Sequence, residues 1–317
     1  MWAYIVRRLL ANVPVYLSII LFVMVALRIG GDPVTIYIGK NATQEQKELL
    51  REQMGLDRPF LTQYGDTVAD VLTLDFTERS WEQKRPVGEM IRNAIPKSVV
   101  LMLPSLVLTT LISVGVGLIG AFYRGRAPDR VLVILAVTGM CISYLVYIIF
   151  GQYLGAFKLS EWLGREVFAI EGYEPGLGNW VHYCALPVAI NVIVAMGYDT
   201  RFYRAVMVEE GTKDYITTAR AKGASKRKIM FVHMLKNAMI PIITRIMIAV
   251  PFMVTGSLLV EMYFNIPGMG RTLINAINSR DFPVIQAFVC LFAALFILTN
   301  ILTDVLYALV DPRVRLS

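Results

Sequence analysis

The chain has 317 residues, of which 56% are hydrophobic and only 17% charged, and its mean hydropathy is +0.56. Since an average soluble domain has roughly 45–50% apolar and about 25% charged residues, this composition excludes a disordered chain and a disulfide-bonded secreted scaffold, and it argues against a soluble enzyme. The formal net charge of +7 fits either a nucleic-acid-binding protein or a membrane protein with basic loops on one side. The distribution of the basic residues favours the membrane protein, and no nucleic-acid partner is expected.

Six apolar segments are candidates for membrane spans, because a transmembrane helix needs about 20 mainly apolar residues. In chain order they cover residues 9–29, 99–123, 131–154, 182–198, 243–264 and 284–309. The first segment is longer than the core of a signal peptide and no cleavage site follows it, which predicts a retained anchor. We therefore predict an all-α polytopic membrane protein with six transmembrane helices.

The orientation in the membrane follows from the lysines and arginines in the short connections. If the N-terminus is cytoplasmic, sixteen of them lie on the cytoplasmic side and four on the other side. The long first loop is exempt from this rule because of its length. Both termini are therefore predicted to be cytoplasmic.

The first loop is predicted to form a cap over the outer mouth of the bundle. Thr43 is a suitable N-cap for a short amphipathic helix over residues 45–54, which Gly55 would end.

The connection between spans four and five is the most basic internal loop, with nine lysines and arginines. An acidic residue at its start, late basic residues and Gly223 at the C′ position predict a helix over residues 214–222. Ser225 can cap a second helix that begins at Lys226. Such a helix pair suits the transmission of force between a soluble partner and the bundle. It equally suits a surface helix pair that lies on anionic lipid headgroups.

The sequence DYITTARAKGASKRKI of this connection resembles the cytoplasmic coupling segment of bacterial ABC importer permeases, the EAA loop. Aligned on Gly223, the family's Glu-Ala-Ala triplet falls on Thr217, Thr218 and Ala219, so its glutamate is absent. The family's later Leu-Pro falls on Leu235 and Lys236, so that proline is absent too. Both departures resemble the dipeptide/oligopeptide branch, in which TARAKG is the usual spelling.

Other segments resemble the same branch over nearly the whole chain. They are YIVRRLL near the N-terminus, GDPV at residues 31–34, MGLDRPFLTQY at 54–64, EMYFNIPGMGRTLINAINSRDFPVIQ at 261–286 and DVLYALVDPRVR at 304–315. The order and spacing of these segments strengthen the resemblance.

The resemblance implies the type I ABC importer permease fold and a role as half of a translocation pathway for di- or oligopeptides or similar small solutes. The implied partners are a homologous second permease, two cytoplasmic ATP-binding subunits and an extracytoplasmic solute-binding protein, in the bacterial cell inner membrane. The implied ATPase-coupling interface consists of Asp214, Tyr215, Thr217, Thr218, Ala219, Arg220, Ala221, Lys222, Gly223 and Ala224.

No catalytic, cofactor or metal site is predicted in this chain. The sequence has no G-x-x-x-x-G-K-[ST] phosphate loop, so ATP and Mg²⁺ are expected on the partner ATPase subunits. The cysteines and histidines lack the spacing of metal ligands. An intramembrane enzyme would need a nucleophile and a base at the same depth, and the serines of the spans have neither histidine nor lysine near them.

Glu261, Gly268 and Gly270 are candidates for an outer gate or for the lining of the pathway, since a charge within a span is a functional candidate. A helix end and a tight Pro-Gly-x-Gly turn are the competing interpretation. The alternative function is a stand-alone secondary transporter or channel, which would need ionisable groups near the bilayer midplane. The predicted spans offer almost none.

Four regions follow from these predictions. Residues 1–29 form the N-terminal tail and first span, 30–94 the outer loop, 95–307 the permease domain with the coupling segment at about 212–236, and 308–317 a cytoplasmic tail.

Overall fold

A computed structural model describes residues 2–29, 31, 33–38, 43–73 and 76–310. The described part is all helical apart from turns and one isolated bridge between Arg79 and Pro86. In chain order the helices are α1 (Trp2–Ile29), α2 (Val34–Ile38), α3 (Gln44–Gln53), α4 (Phe60–Thr73), α5 (Val87–Phe122), α6 (Ala127–Cys141), α7 (Tyr144–Gly151), π1 (Gln152–Lys158), α8 (Leu159–Leu163), α9 (Leu177–Glu210), α10 (Asp214–Ala221), α11 (Lys226–Lys228), π2 (Ile229–Met234), α12 (Leu235–Asn237), α13 (Met239–Thr255), α14 (Leu258–Tyr263), α15 (Met269–Ser279) and α16 (Phe282–Val310).

Five helical segments are long and apolar enough to cross a membrane, and a sixth span results if one bent helix pair is counted. This confirms the predicted all-helical membrane fold. The third predicted span is not one straight helix: α6 ends at Cys141, and the helix that follows α6 departs at 92°. Ile142 and Ser143 have extended backbone conformations, which interrupt the helical hydrogen bonds between the two halves.

Two spans are longer than their apolar segments predicted. α5 begins at Val87, and α9 extends from Leu177 to Glu210. Helical hydrogen bonds continue wherever the backbone allows them, whereas hydropathy marks only the part that lies in hydrocarbon. The predicted boundary between residues 94 and 95 therefore falls inside α5. Likewise, α16 continues to Val310 beyond the predicted boundary at 307, and residues 311–317 of the predicted tail lie outside the described residues.

The helices α5 and α9 form the centre of the bundle and approach each other closely. A Cβ added to Gly117 would lie 2.9 Å from the backbone nitrogen of Arg204. Glycine is therefore required at this crossing, because any side chain would push the two helices apart. Asp129 at the start of α6 also binds Arg204, with 2.5 Å from Oδ1 to Nε and 2.8 Å from Oδ2 to Nη2. This ion pair connects α6 to α9.

The loop between α1 and α5 packs on the end of the bundle at which α16 begins. As predicted, Thr43 caps α3, and its side chain forms a reciprocal capping box with Gln46. The turn over residues 79–86 is held by Asp281, which is 1% exposed. Its carboxylate accepts hydrogen bonds from the Ser80 hydroxyl and from the backbone N–H groups of Trp81 and Glu82.

Replacing Asp281 by alanine is expected to release this turn from the bundle. The change leaves three donors without their acceptor, and hydrogen bonds to a charged group are worth about 1.5–3 kcal/mol each. Limited trypsin digestion should then cleave after Lys84 at least about tenfold faster. The control is Asp66→Ala, because Asp66 is 53% exposed and pairs at 3.3 Å with an exposed arginine. Equal cleavage of both variants would contradict the role given to Asp281.

Candidate functional site

The predicted coupling helix is present as α10. Asp214 lies in its first turn, and Gly223 follows its end with φ +77°. This left-handed conformation is one that glycine adopts without strain. The second predicted helix also begins as expected, since the Ser225 side chain accepts the backbone N–H of Lys228 at 3.3 Å. Both local predictions are confirmed.

One side of α10 packs on the bundle. Ile216 and Ala219 are buried in a cluster that also contains Tyr203 and Met207 of α9 and Met230 of π2. Ala219 was predicted to belong to the coupling interface, but its side chain is only 7% exposed. Its methyl group therefore serves packing within the chain.

The opposite side of α10 and the turn after it face outward. Tyr215 and Ala224 are half-buried. The predicted interface residues that are exposed are Asp214, Thr217, Thr218, Arg220, Ala221, Lys222 and Gly223. This surface is called the α10 face below. It offers the side chains of two threonines and one alanine, and charges of both signs, to a partner.

Glu210 fixes α10 to the end of α9. Its side chain is 10% exposed, and its two oxygens lie 2.5 Å from Nζ of Lys213 and 2.5 Å from the hydroxyl of Tyr215. Burial, and then the hydrogen bond to the Glu210 carboxylate, raise the pKa of Tyr215. Glu210 was not among the residues predicted for the coupling interface. A carboxylate at the last position of a span, followed within five residues by a lysine and a tyrosine, was the available signal.

Replacing Tyr215 by phenylalanine is expected to loosen α10 without unfolding the bundle. The buried Glu210 carboxylate loses one charge-assisted hydrogen bond, worth about 1.5–3 kcal/mol. Amide hydrogen exchange over residues 214–221 should therefore accelerate by about tenfold or more. Tyr153→Phe is the control, because Tyr153 is exposed and lies in π1. Unchanged protection of α10 would show that the packing of Ile216 alone holds it.

Glu261, Gly268 and Gly270 lie together at the end of the bundle opposite α10. The Glu261 side chain is fully buried, and it accepts the Ser98 hydroxyl at 2.7 Å and the backbone N–H of Arg271 at 3.1 Å. A Cβ added to Gly268 would lie 2.5 Å from Oε2 of Glu261. The carboxylate thus joins α5, α14 and the start of α15. Its position at an outer gate stays a prediction, and none of the three residues lines the cavity described next.

A cavity of about 430 Å³ lies between the central helices α5, α9 and α13. Most of its wall is apolar. At one end Tyr144, Asn191 and Ser257 form a hydrogen-bonded group, with 3.3 Å between the hydroxyls of Tyr144 and Ser257. At the other end Arg245 of α13 pairs with Asp199 of α9.

Asp199 and Arg245 were not among the predicted site residues, since the mid-span regions were expected to offer almost no ionisable groups. Both residues belong to helices that are long and apolar enough to cross a membrane, and both line the cavity. The fourth predicted span stopped at Tyr198, one residue before Asp199, whereas α9 continues to Glu210. Arg245 lay within the fifth predicted span and was the available signal, since a charge inside a span needs a partner.

The described residues contain no group of three or more His, Cys, Asp or Glu side chains that could hold a metal ion.

Comparison with known proteins gives two family matches that together cover most of the chain. Residues 113–316 match the family described as "Binding-protein-dependent transport system inner membrane component", and residues 1–102 match the N-terminal part described for the same kind of component. Among curated proteins, the chain is 36% identical to the "Glutathione transport system permease protein GsiC" of Salmonella choleraesuis over 98% of both chains. The proteins of the same name from Shigella flexneri and Escherichia coli K12 are 36% and 35% identical, again over 98% of both chains.

Proposed function

Because this chain belongs to the family of binding-protein-dependent transport system inner membrane components and is a permease subunit of an ABC importer, we propose that its solutes are short peptides and that α10 couples it to separate ATPase subunits. Membership of this family excludes the alternative function, a stand-alone secondary transporter or channel. It also agrees with the predicted inner-membrane location.

The observation that carries the peptide proposal is the identity of 36% along the whole chain to permeases of glutathione transport systems. Glutathione is itself a small peptide, with carboxylate, ammonium and amide groups. The cavity supports the same solute class, since its volume lies in the range of small-molecule sites and it combines apolar walls with polar groups at both ends.

The coupling proposal rests on the α10 face. In the proposed orientation both termini and α10 are cytoplasmic. A homologous second permease completes the pathway, two ATPase subunits bind ATP and Mg²⁺, and a solute-binding protein delivers the peptide on the outer side. Burial of Ile216 and the bonds of Glu210 attach α10 rigidly to α9, so that a displacement of α10 is passed to the wall of the cavity.

The test is reconstitution of the complex, with its partner permease, ATPases and binding protein, into proteoliposomes. ATP-dependent uptake of labelled dipeptides and of glutathione is measured, together with ATP hydrolysis. We expect uptake of at least one of these peptides, and peptide-loaded binding protein should stimulate hydrolysis. Uptake of only non-peptide solutes by the same complex would refute the peptide proposal and leave the importer assignment intact.

A further inference from the structure

Two ion pairs involve α9: Asp129 with Arg204, and Asp199 with Arg245. They differ in how many of their polar atoms make hydrogen bonds. Asp129 uses both carboxylate oxygens for Arg204 and also accepts the backbone N–H of Gly125 at 2.8 Å. Its side chain is 4% exposed. This pair has the full set of partners that a structural ion pair needs.

The pair between Asp199 and Arg245 is incomplete by comparison. Nε and Nη2 of Arg245 lie 2.8 and 2.7 Å from the same oxygen, Oδ1 of Asp199. Among the described residues, Oδ2 of Asp199 and Nη1 of Arg245 make no hydrogen bond. The Arg245 side chain is 41% exposed, and both residues line the cavity. The pair therefore presents one unused carboxylate oxygen and one unused guanidinium nitrogen to the space through which a solute would pass.

The apolar wall beside this pair restricts which solutes could use it. A charge that enters a low-dielectric site is costly unless an opposite charge meets it there. Asp199 and Arg245 together have no net charge. A solute that brings both a carboxylate and an ammonium group can pair with both residues at once, whereas a solute with only one of these charges leaves a residue of the pair without compensation.

We propose that Asp199 and Arg245 form a binding site for the two charged ends of a short peptide, with its carboxylate on Arg245 and its ammonium group on Asp199. The proposal deepens the peptide function proposed above and rests on it. The ends of an extended dipeptide are at most about 7 Å apart, so both can reach adjacent residues. Apolar side chains line the rest of the cavity, among them Val194, Ile248 and Phe252. They would contact the side chains of the peptide and would not attract one charge over the other.

The test measures peptide binding to the full complex in nanodiscs without the binding protein, so that the selectivity of the binding protein does not enter. Saturation-transfer difference NMR detects weak binding of three probes: Ala-Ala, its N-acetylated form and its C-terminal amide. The variants are Asp199→Asn, Arg245→Gln and the charge-swapped double variant of the two positions. Asp304→Asn is the control, because it removes an ion pair of similar exposure, Arg8 with Asp304 at 2.8 Å, that does not line the cavity.

We expect the wild type to prefer Ala-Ala over both blocked forms by about tenfold. Asp199→Asn should reverse the preference towards the N-acetylated peptide, and Arg245→Gln should reverse it towards the amide. The double variant should restore the preference for Ala-Ala, which guards against a loss caused by misfolding. Asp304→Asn should keep the wild-type order.

Equal losses for all three probes in both single variants would overturn the proposal and make the pair an interhelical brace. Absence of any binding to the wild type would overturn it as well. Neither result contradicts the proposal that the solutes are short peptides, because that proposal is tested by uptake through the complete system.

Discussion

Replacing Gly223 by valine is expected to uncouple peptide uptake from ATP hydrolysis. The residue has φ +77° directly after α10, and a β-branched residue in this conformation is strained by roughly 1–2 kcal/mol. The turn relaxes by moving the end of α10, which tilts the α10 face away from its partner. A free-energy change of this size alters the ratio of correctly placed to displaced α10 by about five- to thirtyfold. Peptide uptake should fall by a similar factor.

A matched control separates coupling from general strain. Gly125 lies in the turn between α5 and α6 with φ +76°, and no atom within 4 Å would meet an added Cβ, as is also the case at Gly223. Gly125→Val therefore introduces the same strain at the same end of the bundle, outside α10. We expect the control to retain most uptake. If both variants lose uptake equally, the α10 face is not the coupling surface.

Replacing Glu261 by alanine is expected to destabilise the permease more than any surface change. The Ser98 hydroxyl and the backbone N–H of Arg271 would both lose their acceptor in a fully buried site. Each unsatisfied buried donor costs about 1–3 kcal/mol, so the free energy of unfolding should fall by about 2–6 kcal/mol. The loss of stability is measured by thermal unfolding of the purified complex, monitored through the reactivity of its buried cysteines.

Two further variants test the cause of that loss. Glu261→Gln keeps the volume but turns one acceptor into a donor that faces other donors, so it should recover only part of the stability. Glu161→Ala removes a carboxylate that is 61% exposed and pairs with Lys158, and it should cost less than about 1 kcal/mol. A wild-type melting temperature for Glu261→Ala would exclude the proposed brace between α5, α14 and α15.

The local features of the chain could be predicted because they depend on neighbouring residues. Thr43, Gly223 and Ser225 act through backbone groups within a few positions. The interrupted third span could not be predicted in this way. Its residues are apolar on both sides of Ile142, and hydropathy alone does not distinguish a straight helix from a bent one.

The partners within the polar sites of the bundle could not be predicted from the sequence, for a different reason. Asp199 meets Arg245 across 46 positions of sequence, and Glu261 meets Ser98 across 163. A single sequence identifies the charged residue in such a pair but not its partner. The burial of Ala219 could not be predicted for the same reason, because which side of α10 faces the bundle depends on the residues of α9 and π2 that pack on it.

The length of α5 has a mechanical consequence. Its 36 residues correspond to about 54 Å, well beyond the roughly 30 Å of hydrocarbon in a bilayer. One end holds Val87 beside the turn over residues 79–86, and at the other end the ring centroid of Phe122 lies 5.8 Å from Nζ of Lys226, next to α10. A lever of this length that pivots by about 10° at its middle moves its two ends by about 5 Å in opposite directions. Widening on one side of the membrane and narrowing on the other can therefore be a single displacement.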